Sequence, residues 1–196
     1  MPINGSRSTS LTAIASPTAF SPLEKPPAAV MVRGILTFAF FGTDAYVSLE
    51  ERTAMANRYN ADLFLSIHAN ASPVPAARGI ETYFLNFAAN PEAEAIALNN
   101  KLDESRDFAT IVQSTLYDQL RRTNKTLKNL GVKQAPFMVL VGATMPSVLA
   151  EISFMSNGAE ATLLKTDRYK QQIAEALKAG ITRYRGSLKK MGPRTE

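Results

Sequence analysis

The chain of 196 residues contains no cysteine. This absence excludes disulfide bonds, thiolate nucleophiles and thiolate metal ligands, so any bound metal ion would have to be held by histidine, carboxylates or water. A long hydrophobic run is absent too. The longest apolar stretch, residues 28–41, is broken by Arg33 and Gly34. Because it is too short to cross a bilayer, no transmembrane helix is expected.

A secretory signal peptide is not visible at the amino terminus. Arg7 is followed by a segment rich in serine, threonine and proline, where a signal peptide would have an apolar core and a small-residue cleavage site. Residues 1 to about 30 show neither helical nor strand periodicity, so we expect them to be flexible. The sequence predicts a divergent segment over 1–43, a folded domain over 44–190 and a short tail over 191–196.

The composition is that of an ordinary soluble domain, with 45% apolar and 20% charged residues and enough chain to bury a core. The formal net charge of +5 comes mainly from residues 121–133 and 183–194. We interpret these cations first as solvated helix faces, although a basic surface is also compatible with an anionic polymer or a membrane surface. No nucleic-acid partner is expected.

Strand-like and helical segments alternate along the folded part. Ser48 and Glu51 form a capping-box signature, which predicts a helix over about 49–59. Helical spacing continues over 92–102 and about 104–128, with Gly131 as the expected stop, and a last helix is predicted over 167–188. Strands are predicted over 62–68, 79–85, 137–141 and 147–152. This alternation predicts an α/β fold with a mostly parallel, twisted sheet flanked by helices.

The single histidine, His68, ends the apolar strand 62–68, and Glu151 lies in the apolar strand 147–152. In open α/β sheets, ligands bind outside the carboxyl ends of strands, and imidazole is both a zinc ligand and an acid–base group near neutral pH. Taken alone, His68 is better explained as a buried, hydrogen-bonded core histidine, and only its flanking motif favours a site residue. Glu151 is harder to explain structurally, because a buried carboxylate is costly unless it is paired or ligated.

Two further side-chain roles follow from the strand pattern. Ser66 shares a strand face with His68, which raises a Ser-His hydrolase. At about 7 Å along the strand, however, the two side chains are expected to be too far apart for proton transfer. We expect Glu81, Asp103 and Asp107 to be solvated surface groups or helix-cap charges, with Glu81 placed near enough to the site to touch substrate.

Three segments together resemble the zinc-dependent N-acetylmuramoyl-L-alanine amidases of bacterial cell-wall turnover. They are Ser66-Ile67-His68-Ala69-Asn70, Gly79-Ile80-Glu81-Thr82-Tyr83 and the run 149–157, Leu-Ala-Glu-Ile-Ser-Phe-Met-Ser-Asn. Their order and spacing are those of the family, and the similarity extends from about Asp44 to about Tyr184. Each segment alone is moderately specific, but the three in this order identify the family.

The resemblance implies a zinc ion held by two histidines and a glutamate, with water in the open position. The family cleaves the amide between the lactyl group of muramic acid and L-alanine of the stem peptide. Zinc activates the water, and a glutamate takes its proton and returns it to the leaving amine. The resemblance makes His68 a metal ligand and Glu151 the catalytic carboxylate, with Asn70 shaping the loop behind the ligand. The resemblance also implies that peptidoglycan is the partner of the protein. The expected location is the periplasm or cell wall.

The sequence departs from the family at its amino-terminal side. The family's first strand, its aspartate-proline-glycine-histidine-glycine turn and the following glutamate ligand are not found here. With one histidine in the chain, the zinc site and the sheet are expected to be incomplete on that side. The alternative function is therefore a degenerate amidase that binds wall fragments without hydrolysis, or an incomplete domain with no stable role of its own. Oligomeric state cannot be inferred from the sequence.

Overall fold

The computed structural model describes residues 28–33, 36–39, 48–85 and 95–191, with side chains over 48–85 and 101–188. Residues 1 to about 30 were predicted to be flexible; of these, residues 1–27 lie outside the described residues, as does the tail after Met191, whereas residues 28–30 belong to a strand. Strands and helices alternate through the described part, with one 3₁₀ turn at Met138–Leu140. Their bounds are β1 Ala28–Arg33, β2 Leu36–Ala39, α1 Leu49–Arg58, β3 Leu63–Asn70, β4 Ile80–Leu85, α2 Ala95–Leu120, β5 Asn129–Ala135, β6 Ser147–Phe154, α3 Gly158–Leu164 and α4 Asp167–Met191.

The strands form one sheet in the order β2-β1-β3-β6-β4-β5. In its four-stranded part, β3 is parallel to β6 and β4 is parallel to β5, while β4 and β6 are antiparallel. This confirms the predicted α/β fold with a mostly parallel sheet flanked by helices. The β1–β2 hairpin adds two antiparallel pairings, so the full sheet is mixed, and β1 covers the edge of β3.

Two hydrophobic clusters lie on opposite faces of the sheet. The larger cluster packs α2 and α4 against alternate residues of the central strands, including Leu65, Ile80 and Val148. The smaller cluster packs α1 and the 3₁₀ turn against the other face, where Phe64 and Leu149 are buried. Because strand side chains alternate between faces, residues in step with Phe64 and Leu149 share the face that α1 partly covers.

The predicted start of α1 is confirmed in detail. The Ser48 hydroxyl accepts the Glu51 amide at 3.1 Å, and the Glu51 carboxylate accepts the Ser48 amide at 3.0 Å. These reciprocal hydrogen bonds satisfy two backbone N–H groups that have no acceptor within the helix. Asn57, near the other end of α1, donates to the Gly142 carbonyl at 2.7 Å and so ties the helix to the loop before β6.

Three predictions of local structure are wrong. The helix predicted to reach 128 ends at Leu120, where a turn closes with the Asn124 side chain accepting the Thr126 amide at 3.2 Å. Gly131 is not a helix stop but lies inside β5, with φ of 82°. The apolar run 137–141 forms the 3₁₀ turn instead of a strand, because a run of five apolar residues is compatible with either a helix or a strand.

None of the described helices is long and apolar enough to span a membrane.

Candidate functional site

Three ionisable side chains form a row across the middle of the sheet. Glu151 on β6 is the register partner of His68 on β3 and also of Glu81 on β4. Register partners on neighbouring strands point to the same face, so the three side chains share one face, at the carboxyl end of β3 and β6. We name His68, Glu151 and Glu81 the catalytic row, after the role that the family resemblance implies for Glu151. The structure therefore brings the two predicted site residues together.

His68 contacts a serine that lies two residues before it. Its Nε2 is 2.9 Å from Ser66 Oγ, so the prediction that these side chains are too far apart is wrong. The strand separates their Cα atoms by about 7 Å, but the long imidazole leans back along the strand and closes the gap. Ser66 is fully buried, at 0% exposure. A nucleophile must meet its substrate, so burial rather than distance argues against a Ser-His hydrolase.

Glu81 is a buried carboxylate and not the solvated surface group that the sequence suggested. Its residue exposure is 3%. Asn70 Nδ2 donates to Oε1 at 2.8 Å, and Lys133 Nζ donates to Oε2 at 2.5 Å. Because β6 lies between β3 and β4, the bond from Asn70 crosses the strand that carries Glu151. Asn70 therefore joins the two sides of the catalytic row, while Asp103 and Asp107 are exposed as predicted.

Tyr83 completes the surroundings of Glu81. Burial raises the pKa of the Tyr83 hydroxyl to about 12, and its hydrogen bond with Glu81 and the negative charges of Glu81 and Glu151 add to that shift. Two carboxylates directly opposite each other on an antiparallel pair repel. The Lys133 ammonium offsets this repulsion, so the row holds two carboxylates beside one cation.

A third buried carboxylate, Glu160, holds the loops at this end of the sheet and was not predicted. At 1% exposure, it accepts the Gly79 amide at 2.9 Å and the Phe154 amide at 2.7 Å. Ser153 Oγ and Asn124 Nδ2 donate to it as well, at 3.1 and 3.4 Å. Glu160 thus fixes the start of β4 against the end of β6, and so the spacing of the catalytic row.

The described residues do not fit a complete zinc site of the kind that the resemblance implies. A catalytic zinc normally has three protein ligands, and no group of three or more histidine or acidic residues that could hold a metal occurs within the described chain. His68 is the single histidine, and the carboxylate of Glu81 is engaged by Asn70 and Lys133. A set with two histidines therefore cannot come from one copy of this chain.

Comparison with known proteins decides the family. The profile of the Amidase_3 family, N-acetylmuramoyl-L-alanine amidase, matches residues 33–183. The chain belongs to this family. The matched range includes every residue of the catalytic row together with Asn70, Lys133 and Glu160. The boundaries predicted at residues 43 and 190 stay predictions.

Individual members of the amidase family show the same likeness. The uncharacterized protein YqiI of Bacillus subtilis is 39% identical over 141 residues, which are 72% of this chain and 60% of that protein. The N-acetylmuramoyl-L-alanine amidase LytC of the same organism is 35% identical over 77% of this chain and 27% of its own length. The chain thus spans less than two thirds of these curated relatives.

A solved amidase structure has the same fold. The crystal structure of N-acetylmuramoyl-L-alanine amidase from Clostridium difficile 630 superposes with a TM-score of 0.61 at 31% identity, covering 74% of this chain and 68% of that one. Amidase AmiC2 of Nostoc punctiforme gives a TM-score of 0.59 at 32% identity, over 72% of this chain and 67% of that one. These likenesses confirm the family and the fold that the sequence motifs predicted.

Proposed function

We propose that this protein acts on peptidoglycan as an N-acetylmuramoyl-L-alanine amidase, cleaving the amide between the lactyl group of muramic acid and L-alanine. The observation that carries the proposal is the placement of Glu151 opposite His68 at the carboxyl end of two parallel strands. Family membership supplies the substrate class. Glu151 is buried, at 5% exposure, which supports a functional role because buried ionisable groups cluster at functional sites.

In this mechanism, Glu151 takes a proton from the attacking water and returns it to the departing amine of L-alanine. A positioned carboxylate of this kind contributes about 10²–10⁴-fold to the rate. Asn70 and Lys133 hold Glu81 beside it, so the second carboxylate is fixed and charge-compensated. His68 is oriented by Ser66 and faces the same reaction space. The donor set of the described residues does not fit a zinc ion.

The proposal is tested on purified sacculi with the full chain. We expect soluble stem peptides with a free L-alanine amine, and muramic acid with a free lactyl carboxylate, both identified by mass spectrometry. In H₂¹⁸O the label enters the lactyl carboxylate. Zinc stoichiometry is measured on the same sample by atomic emission. The absence of both products, with zinc supplied and with zinc removed, would exclude amidase activity of this chain.

A second candidate function is binding of wall fragments without hydrolysis. One specific observation favours it, namely the single histidine of the chain, which cannot provide the family's ligand pair. Sedimentation of the protein with sacculi, combined with no release of stem peptides, is the result that this candidate predicts. Failure to sediment with sacculi would remove it.

The site of action proposed for either function is the periplasm or cell wall, where peptidoglycan lies. This proposal rests on the family's substrate and not on any targeting feature of the chain. Fractionation of cells expressing the native gene should recover the protein with the wall or periplasmic fraction. Recovery only with the cytoplasmic fraction would contradict it.

A further inference from the structure

We propose that Lys133 binds the free carboxylate of the stem-peptide residue that follows L-alanine, and so selects peptides whose second residue is not amidated. This inference deepens the proposed function, because it assumes that the catalytic row receives a peptidoglycan stem peptide. In such peptides, γ-linked D-glutamate follows L-alanine and carries either a free α-carboxylate or, when amidated, a neutral carboxamide. The two forms differ by one negative charge close to the cleaved bond.

The position of Lys133 places a cation beside the catalytic row. Lys133 lies on β5 in register with Tyr83, on the face that carries Glu81. Its side chain reaches over β4, since Nζ contacts Glu81 Oε2. Glu81 is directly opposite Glu151, and neighbouring strands lie ~5 Å apart, so the ammonium contacts a carboxylate one strand away from the proposed general base.

The ammonium has hydrogen-bonding capacity left for a ligand. It carries three N–H donors, and Glu81 accepts one of them. No second acceptor for Lys133 occurs among residues 48–85 and 101–188. Its side chain is 45% exposed, against 4% for that of Glu81. The buried carboxylate therefore anchors the ammonium, while nearly half of the lysine side chain remains exposed to solvent.

The distance fits the proposed substrate. Each residue of an extended peptide adds about 3.3–3.6 Å, so a carboxylate on the second residue lies roughly 7 Å beyond the cleaved bond. A ligand with its amide at Glu151 and its chain running across β4 would place that carboxylate near Glu81, whose own carboxylate contacts the Lys133 ammonium. A carboxylate accepts a charge-assisted hydrogen bond there, whereas a carboxamide presents a weaker neutral acceptor and its own donors.

Binding of two reaction products separates this role from simple neutralisation of Glu81. The ligands are L-alanyl-γ-D-glutamate and L-alanyl-D-isoglutamine, neither of which contains the cleaved amide. Their binding to the full chain is measured by calorimetry at low salt. We expect the carboxylate form to bind about tenfold more tightly, as for one charge-assisted hydrogen bond. A lysine that only neutralised Glu81 would give equal affinities.

Variants then assign the discrimination to Lys133. Lys133→Met should make the two affinities equal without weakening the isoglutamine ligand, and Lys133→Arg should retain the preference. Lys128→Met, which removes an exposed lysine just before β5, is the matched control and should bind as wild type does. Equal affinities in wild type, no binding of either dipeptide, or an unchanged preference in Lys133→Met would overturn the proposal. Discrimination without stem-peptide release from sacculi would sustain it while removing the hydrolytic function.

Discussion

His68 and Glu151 are register partners on β3 and β6, two parallel strands that are adjacent in the sheet although other strands separate them along the chain. Each residue comes from a separate sequence motif. Their side chains share one face at the carboxyl end of both strands, which is where open α/β sheets bind ligands. The two residues that the family motifs single out therefore lie together at one place in the fold. Glu81 adds a third ionisable group there.

Ser66→Ala distinguishes a serine that orients the His68 imidazole from a serine that acts as the nucleophile. Ser66 Oγ lies 2.9 Å from His68 Nε2 but is fully buried, so we expect it to orient the imidazole only. Stem-peptide release should then fall by less than about tenfold, whereas loss of a true serine nucleophile lowers kcat by as much as about 10⁶-fold. Labelling with a fluorophosphonate provides the control. Stable labelling of wild type that Ser66→Ala abolishes would show that serine chemistry operates after all.

Glu160→Ala should destabilise the fold strongly. The substitution leaves buried donors from Gly79, Phe154 and Ser153 without their acceptor, and each such loss costs about 1–3 kcal/mol. We expect the free energy of unfolding in urea to fall by more than about 3 kcal/mol. Glu175→Ala, at an exposed position of α4, is the matched control and should change it by no more than about 0.5 kcal/mol. Similar stabilities for the two variants would refute the anchoring role.

Alanine substitutions at three glycines should change the stability of the fold differently. Two should destabilise it by unequal amounts, and the third should stabilise it. At Gly79, φ is 120° and an added Cβ would lie 2.4 Å from the Lys128 carbonyl oxygen, so this variant should be the least stable. At Gly131, φ is 82° but nothing lies within 4 Å, so only backbone strain of about 1–2 kcal/mol is expected. Gly186→Ala, in an open position of α4, should stabilise by up to about 1 kcal/mol. Thermal melts test this order, and a neutral Gly79→Ala would contradict it.

Tyr83→Phe should change how the free energy of unfolding depends on pH in alkaline solution. The folded-state pKa of about 12 lies above the ordinary value of 10.0 because of burial and the neighbouring carboxylates. Between these two values the unfolded chain loses the tyrosine proton and the folded chain keeps it, so this contribution is complete below pH 10 and is lost as pH rises toward 12. The variant should therefore lose stability less steeply across that window. Parallel urea titrations on both sides of pH 10 measure the difference, and identical slopes would contradict it.

Much of the fold was predictable where one strand or helix carries its own signal. The apolar strands β3 and β6 and the capping box of α1 depend on residues that are neighbours in sequence, and His68 and Glu151 follow directly from the motifs on those strands. β5 was missed because it is an edge strand whose residues are mostly partly or fully exposed. It therefore lacks the alternation that indicates a half-buried strand.

The rest of the site depends on register, which local patterns do not encode. Glu81 meets Lys133 only because β4 and β5 pair in parallel, with a shift between Ile80 and Thr82. Without that pairing, Glu81 looks like one more surface acid. The contact between Ser66 and His68 was misjudged because strand spacing locates Cα atoms, whereas the reach of the imidazole decides the contact. Glu160 gives no signal at all, since its four donors come from three separate stretches of chain.

Stem-peptide release by Glu151→Gln is the most direct test that Glu151 performs the proton transfer. The substitution keeps the size of the side chain but removes its basicity, so release from sacculi should fall by about 10²–10⁴-fold. Circular dichroism and binding to sacculi should stay as in wild type, and Asp107→Asn, at an exposed position of α2, should release peptides normally. Unchanged release by a folded Glu151→Gln protein would contradict the assignment of the catalytic row.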